Sequence, residues 1–191
     1  MIILELIKRS ATILNVEEVL EDSNLDGFES SEEATILTKN PTLNRMFELA
    51  KVVINEVLSY SPIISESVIA STGKKIFLTK LIRLDKIVSI KNEQGKAVKF
   101  RVANNNIHFD EDGNYTITYQ QYPITDSMLY PIENFHGSVS DDALVAGLNS
   151  YYCLATGLYA EYNVYNAQYV DRLSRIRNLK VFSMPNRSWN D

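Results

Sequence analysis

The sequence predicts an α+β fold: a helical bundle with a small antiparallel β-hairpin lobe and an extended C-terminal tail. Three observations predict it. Between Ser138 and Arg177, apolar or small residues recur in steps of three and four, the spacing of a helix with one buried face. Between residues 64 and 122, β-branched and aromatic residues dominate and turn residues punctuate them, which is the pattern of short strands. Beyond Arg177 the periodicity stops. The expected organisation is one domain over 1–191. It comprises an N-terminal arm and helices (1–63), a β lobe (64–122), a long helical segment (138–177) and a docking tail (178–191).

Met1 to Leu14 mixes apolar residues with Lys8 and Arg9 and reads as a short helix or as an arm laid on a neighbour. Val16 to Glu21 reads as a short helix with Asn15 as cap. Asp22 to Glu33 is polar and acidic, with a turn signal at Asp26-Gly27, and reads as a loop. Helical pattern returns near Glu32 to Leu37 and breaks at Asn40-Pro41. Thr42 to Tyr60 is a firm helix capped by Thr42. Its stripe is Leu43, Met46, Phe47, Ala50, Val53, Ile54, Val57 and Leu58, while Asn44, Arg45, Glu48, Lys51 and Glu56 face away. Ser61-Pro62 ends it, because proline disfavours helical geometry in the residue before it.

In the lobe, Ser67–Ser71 and Lys75–Thr79 read as strands around Thr72-Gly73. Ile87–Lys91 and Ala97–Val102 read as a hairpin around Asn92–Gly95, and Ile107–Phe109 and Tyr115–Tyr119 as a second around Asp110–Asn114. Tyr115, Ile117 and Tyr119 alternate with Thr116 and Thr118, so one face of that strand is buried. Tyr122-Pro123 opens a loop running to the central helix.

The central stripe comprises Leu144, Leu148, Tyr151, Ala155, Leu158, Tyr162, Tyr165, Tyr169, Leu173 and Ile176. It reads as one helix or as two in register, with Asn149, Ser150, Asn163, Asp171, Arg172 and Arg175 on the opposite face. Ser140 is the expected cap, and Asp141 and Asp142 sit where the positive helix end favours carboxylates.

The net charge of −5 over 191 residues argues against a nucleic-acid binder by bulk electrostatics. The charge is uneven: residues 1–60 carry 11 acids against 5 bases, 61–121 carry 9 bases against 6 acids, and 171–191 carry 5 bases against 2 acids. Such polarity suits a part that meets different neighbours at different faces. A single cysteine, Cys153, excludes a disulfide within the chain. The start MIILELIKRS does not read as a signal peptide, and no segment reads as a membrane span.

No catalytic residue, metal ligand set or cofactor motif is expected. His108 and His136 lack ligand-spaced partners, Asp110–Gly113 lacks the spacing of a calcium loop, and Asp141 and Asp142 are explained by the helix start. Other residues carry two open readings. Tyrosine numbers 11, six of them between Tyr151 and Tyr169, and suits either amphipathic packing or a subunit interface. Arg172, Arg175, Arg177 and Lys180 form a basic helix end, either solvated and dipole-favoured or set against an acidic partner or passing DNA. In the tail, Phe182, Met184, Arg187 and Trp189 are candidate anchors on the same domain or on a neighbouring subunit, since each large apolar side chain is worth roughly 1.5–3 kcal/mol when buried.

Several phrases sharpen the picture: Ile76–Ile90 leading into the lobe, the Asn92–Gly95 turn, Tyr115-Thr-Ile-Thr-Tyr119 with Pro123 after it, Asp142-Ala-Leu-Val-Ala-Gly-Leu148 and Leu154-Ala-Thr-Gly-Leu158. Together they resemble the head-to-tail adaptor proteins of tailed bacteriophages, of the tail tubular protein A type, over roughly residues 42 to 177. That family shares a helical bundle with a small β lobe, and a Thr-Gly commonly separates two of its helices. The resemblance implies that Thr156-Gly157 bends or breaks the central segment, whereas the unbroken stripe here argues for continuity. It also implies a structural virion protein without catalysis or cofactors, made in the host cytoplasm and placed in the neck. About twelve copies would form a ring below the portal, receive the tail tube or nozzle protein, and let genomic DNA pass without sequence specificity. The alternatives are another neck or tail-completion subunit or, from a different class, a small cytoplasmic ligand-binding domain or enzyme.

Overall fold

The computed structural model describes residues 1–25, 27–132 and 139–181, with side chains through Ile176. Among these residues are six α-helices and six strands, the strands forming two three-stranded antiparallel sheets. The chain divides into two compact units: Met1–Ser61 together with the chain from Ile124 onward, and Pro62–Pro123 between them.

The first unit is helical. Helix α1 (Ile3–Leu14) buries Ile3, Leu4, Leu6, Ile7, Ser10 and Ala11, so it is a core helix. Its end is set by Asn15 in the left-handed region at φ 53°, a conformation asparagine tolerates better than most residues. Asn15 therefore stops α1 instead of capping α2 (Glu17–Leu20), whose cap position is Val16. The free N–H groups at the start of α1 bond to a later loop: Leu4 donates to the Met128 carbonyl at 2.8 Å and Ile3 to that of Tyr130 at 3.2 Å. This satisfies donors that a helix N-terminus leaves unpaired. The same loop is held from α3 (Glu33–Lys39), where buried Glu33 accepts from the Met128 N–H at 2.7 Å and from the Ser127 hydroxyl.

Helix α4 (Pro41–Tyr60) starts one step earlier than the expected Thr42 cap. Asn40 is the cap, its side chain accepting from the Leu43 N–H at 2.9 Å, and Pro41 occupies the first turn, where its missing N–H costs nothing. Thr42 instead donates to Glu18 at 2.9 Å. The expected apolar stripe of α4 is buried throughout.

The central segment is two helices, α5 (Asp141–Thr156) and α6 (Tyr159–Val181). Gly157 caps α5 at φ 79°, and the Leu158 N–H reaches back to the Cys153 carbonyl at 2.8 Å, a left-handed C-terminal stop. Continuity across Thr156-Gly157 is thus overturned. The stripe stays in phase because α6 folds back antiparallel on α5, so Leu144, Leu148, Tyr169, Leu173 and Ile176 turn into one core, while Ala155 and Leu158 beside the turn are exposed. Ala143 through Ser150 is buried all round, with α1, α4 and α6 packed about it. Asn149 and Ser150, expected on a polar face, are buried: the Ser10 hydroxyl donates to Asn149, and Ser150 bonds Asn166 at 3.5 Å. Ser140 is the cap residue of α5 but makes no side-chain cap bond.

The second unit carries strands β1 (Ile63–Ala70), β2 (Lys75–Phe77), β3 (Leu84–Asn92), β4 (Arg101–Ala103), β5 (Asn106–His108) and β6 (Asn114–Gln121). One sheet has the order β1-β6-β3 and the other β2-β5-β4. Both expected hairpins are corrected. β3 meets the segment after Asn92–Gly95 at a single bridge, Lys91 to Ala97, and its ladder partner is β6. β5 pairs with β2 and β4, not with β6, so Asp110–Gly113 crosses between sheets. The tight hairpin is β4–β5, where Asn104 and Asn105, at φ 50° and 61°, link the paired residues Ala103 and Asn106. Two positive φ angles in a two-residue loop make the turn whose twist matches the flanking strands. Both sheets feed one core, with Ile76 and Ile107 from one and Ile90, Tyr115, Ile117 and Tyr119 from the other. The expected alternation of β6 holds, and Tyr115 stacks on Phe109 at 3.9 Å between ring centroids. Asp112 ties the crossing to the β1–β2 turn, accepting from the Ser71 hydroxyl at 2.8 Å and the Lys74 N–H at 2.6 Å. These bonds hold its carboxyl below the usual range.

Gly157→Ala forces a side chain into the left-handed region, which costs roughly 1–2 kcal/mol. The expected outcome is a urea midpoint lowered in proportion at unchanged slope; an unchanged midpoint would show that the α5–α6 stop is not held by this conformation.

Candidate interaction surface

Of the expected basic helix end, the two described side chains, Arg172 and Arg175, are both engaged within the chain. Because α6 runs back along α5, Arg172 reaches the first turn of α5 and donates to the Asp142 carbonyl. Arg175 pairs with Asp171 at 2.8 Å, four residues earlier on α6, with both side chains largely exposed. Such a pair adds only a few tenths of a kcal/mol. The α6 backbone continues through Arg177 and Lys180, whose side chains lie outside the described ones. The tail anchors Phe182, Met184, Arg187 and Trp189 and the loop residue His136 also lie outside the described residues. Asp141 and Asp142 serve the helix start and diverge in use: Asp141 pairs with Arg9 at 3.4 Å, both exposed.

The tyrosines separate into two groups. Tyr169 is buried at 3% exposure, and its hydroxyl donates to Glu56 of α4 at 3.0 Å. Tyr151 of α5 donates to the same carboxylate oxygen at 2.9 Å, and the two rings meet edge to face at 6.4 Å. Burial, reinforced by the Glu56 charge, pushes the Tyr151 phenol up to about 12 and raises that of Tyr169 further. The Tyr169 ring lies on Gly147: a Cβ there would stand 2.7 Å from Cε2 of the ring and 2.8 Å from Val53 of α4. Glycine, normally unfavourable inside a helix, permits three helices to close on one point. Glu56 was expected to face away, and neither it nor Gly147 announces this role in sequence. The nearest signal was the run of tyrosines three and four residues apart on α6. Tyr162 and Tyr165 are half-buried, and Tyr165 lines a 270 Å³ hollow with Val145, Gln168 and Arg172. Outside this Glu56–Tyr151–Tyr169–Gly147 cluster, Leu154, Leu158 and Tyr159 are exposed around the α5–α6 turn, Tyr159 at 66%.

The small sheet supplies a second surface. Lys75, His108 and Arg101 are directly opposite one another across β2, β5 and β4, so they share a face. Lys74, Lys99 and Phe100 lie beside them around a shallow 630 Å³ cleft, which Asp110 also lines. His108 is half-buried, its Nε2 3.3 Å from the Ala103 carbonyl. Strand register brings this row together, which is why sequence reading did not see it.

Cys153 is fully buried, and burial pushes its thiol up, away from reactivity. Among the described residues, no group of three or more His, Cys, Asp or Glu is placed to hold a metal ion, and no helix is long and apolar enough to cross a membrane. The arrangement offers contact surfaces: an apolar helix-turn tip, a cationic sheet face and an acidic face on α2 and the segment following it. No protein-family model matches the chain, and no curated protein matches it significantly.

The cluster of Glu56, Tyr151, Tyr169 and Gly147 can be tested by substitution. Gly147→Ala overpacks it and is expected to cost about 1–3 kcal/mol, read as a lowered midpoint in urea; a neutral result would show that the Tyr169 ring moves aside freely. Both phenols hold their protons more tightly folded than unfolded. Stability is therefore full below the ordinary phenol value near 10 and declines as pH rises toward about 12. Replacing Tyr151 and Tyr169 together by Phe is expected to flatten that decline; an equally steep loss would place its origin elsewhere.

Proposed function

We propose that this chain is a structural subunit of a phage head-to-tail connector ring, lying between portal and tail and leaving a passage for genomic DNA. The observation that carries the reading is the α5–α6 hairpin stopped at Thr156-Gly157. This is where the adaptor resemblance implies a break and where the stripe alone argued for continuity. The order of elements adds support: helices, an inserted β unit, then a helical hairpin. The surfaces are those of a part that meets neighbours. The turn tip exposes Leu154, Leu158 and Tyr159, and charge of opposite sign collects on different elements. Head-to-tail contacts between copies close a ring when the rotation between them closes. In this role the side chains do no chemistry: they bind neighbouring subunits and keep the passage from gripping phosphates, since each neutralised phosphate contact adds affinity and slows sliding.

The test is the mass of the purified chain alone and after mixing with a portal ring. The expected result is a closed assembly of about twelve copies, free or templated on the portal. A monomer or dimer that ignores the portal under all salt conditions would overturn the proposal.

A further inference from the structure

We infer that the outer face of the β2-β5-β4 sheet is a docking surface for the exposed glutamates on and after α2 of a second copy of this chain. The inference rests on the ring reading and names the surfaces through which neighbours would meet.

Lys75, His108 and Arg101 stand directly opposite one another on three adjacent strands, and Lys75 and Arg101 are exposed. Lys75 and Arg101 flank His108 from the two outer strands, and Lys74 and Lys99 line the same cleft, so four cations gather around it. Among the described residues, neither Lys75, Lys99 nor Arg101 has a carboxylate at ion-pair distance, whereas Arg9, Lys51 and Arg175 each do. Phe100, 40% exposed, adds an apolar contact beside the row.

The complementary surface is on the same chain. Between Ser10 and Thr38 the sequence has no Lys or Arg. Glu17, Glu18, Glu21, Glu29 and Glu32 are all exposed on and around α2 and α3.

Each copy thus carries one half of a contact at each of two different surfaces, the requirement for a heterologous, ring-forming interface. Nucleic acid fits less well. The chain is acidic overall and repels a polyanion at long range, and a cationic cleft gripping phosphates would hinder sliding.

The test is assembly of the full chain, with the portal ring as template where needed, by mass at 0.05, 0.15 and 1 M NaCl. Lys75→Glu with Arg101→Glu places acid against acid, and Glu17→Lys with Glu21→Lys places base against base. Each pair alone is expected to weaken assembly at least tenfold, with the urea midpoint unchanged. Mixing the two variants, or combining all four substitutions in one chain, restores complementary faces and is expected to restore assembly. One molar salt, which shrinks the screening length to about 3 Å, is expected to weaken the wild type.

Assembly unaffected by the reversals would overturn this inference and leave the ring reading standing. Loss without recovery in the mixture would show that the two faces do not meet, again overturning it. If the wild type bound a 30-base single-stranded oligonucleotide at 0.15 M NaCl and the Lys75/Arg101 reversal abolished that binding but not assembly, the occupant would be nucleic acid and the inference wrong. A wild type that never assembles, even on the portal, would sink the ring reading itself.

Discussion

One carboxylate organises the helical unit. Glu56 of α4 accepts hydroxyls from Tyr151 on α5 and Tyr169 on α6, and the Tyr169 ring fills the space that Gly147 leaves open. The hydrogen bonds to a charged acceptor are directional, whereas the apolar contacts around them are not. Leucine and valine supply the burial. The Glu56 cluster fixes the rotation of α6 about its own axis, and with it which residues of α6 face outward. The exposure of Val164 and Val170, at 56% and 54%, follows from Tyr169 being turned inward.

The loop between the β unit and α5 is held by the same logic of buried polar pairing. Glu33 is buried, yet both its carboxylate oxygens are satisfied, by the Met128 N–H and the Ser127 hydroxyl. A buried carboxylate without partners would be expensive; with them it becomes a clamp from α3 onto the strand-like segment that pairs with the start of α1. The start of α1, α3 and the segment 127–131 are thereby drawn into one hydrogen-bonded set.

Much of this was legible in sequence, and the failures have distinct causes. The α4 stripe and the alternation of Tyr115, Ile117 and Tyr119 were readable because each states which residues face a core. Strand pairing was not, because period two names a face and not a partner. Ile87–Lys91 satisfies a hairpin with its neighbour as well as it satisfies β6. Asn104-Asn105 was overlooked as a turn because Asn92–Gly95 and Asp110–Gly113 are louder signals on either side. The stop at Gly157 was hidden because an antiparallel hairpin keeps its stripe in phase through the turn. The burial of Asn149 and Ser150 was hidden because their partners, Ser10 and Asn166, are far away in sequence or on the returning helix. Among the candidate contacts, Tyr169 and Arg172 turned out to be committed within the chain. The cationic row on the small sheet exists only through register.

The first and last strands of the β unit are neighbours: Ile63 pairs with Gln121 across β1 and β6. The chain therefore leaves this unit beside the point at which it entered. Strands in register lie only about 5 Å apart, so the whole of Pro62–Pro123 hangs from the chain as a loop with a closed neck. Its core draws on its own two sheets. A unit closed in this way keeps its first and last strands side by side whatever the length of the turns between them, so those turns can lengthen or shorten without moving the points at which the chain enters and leaves it.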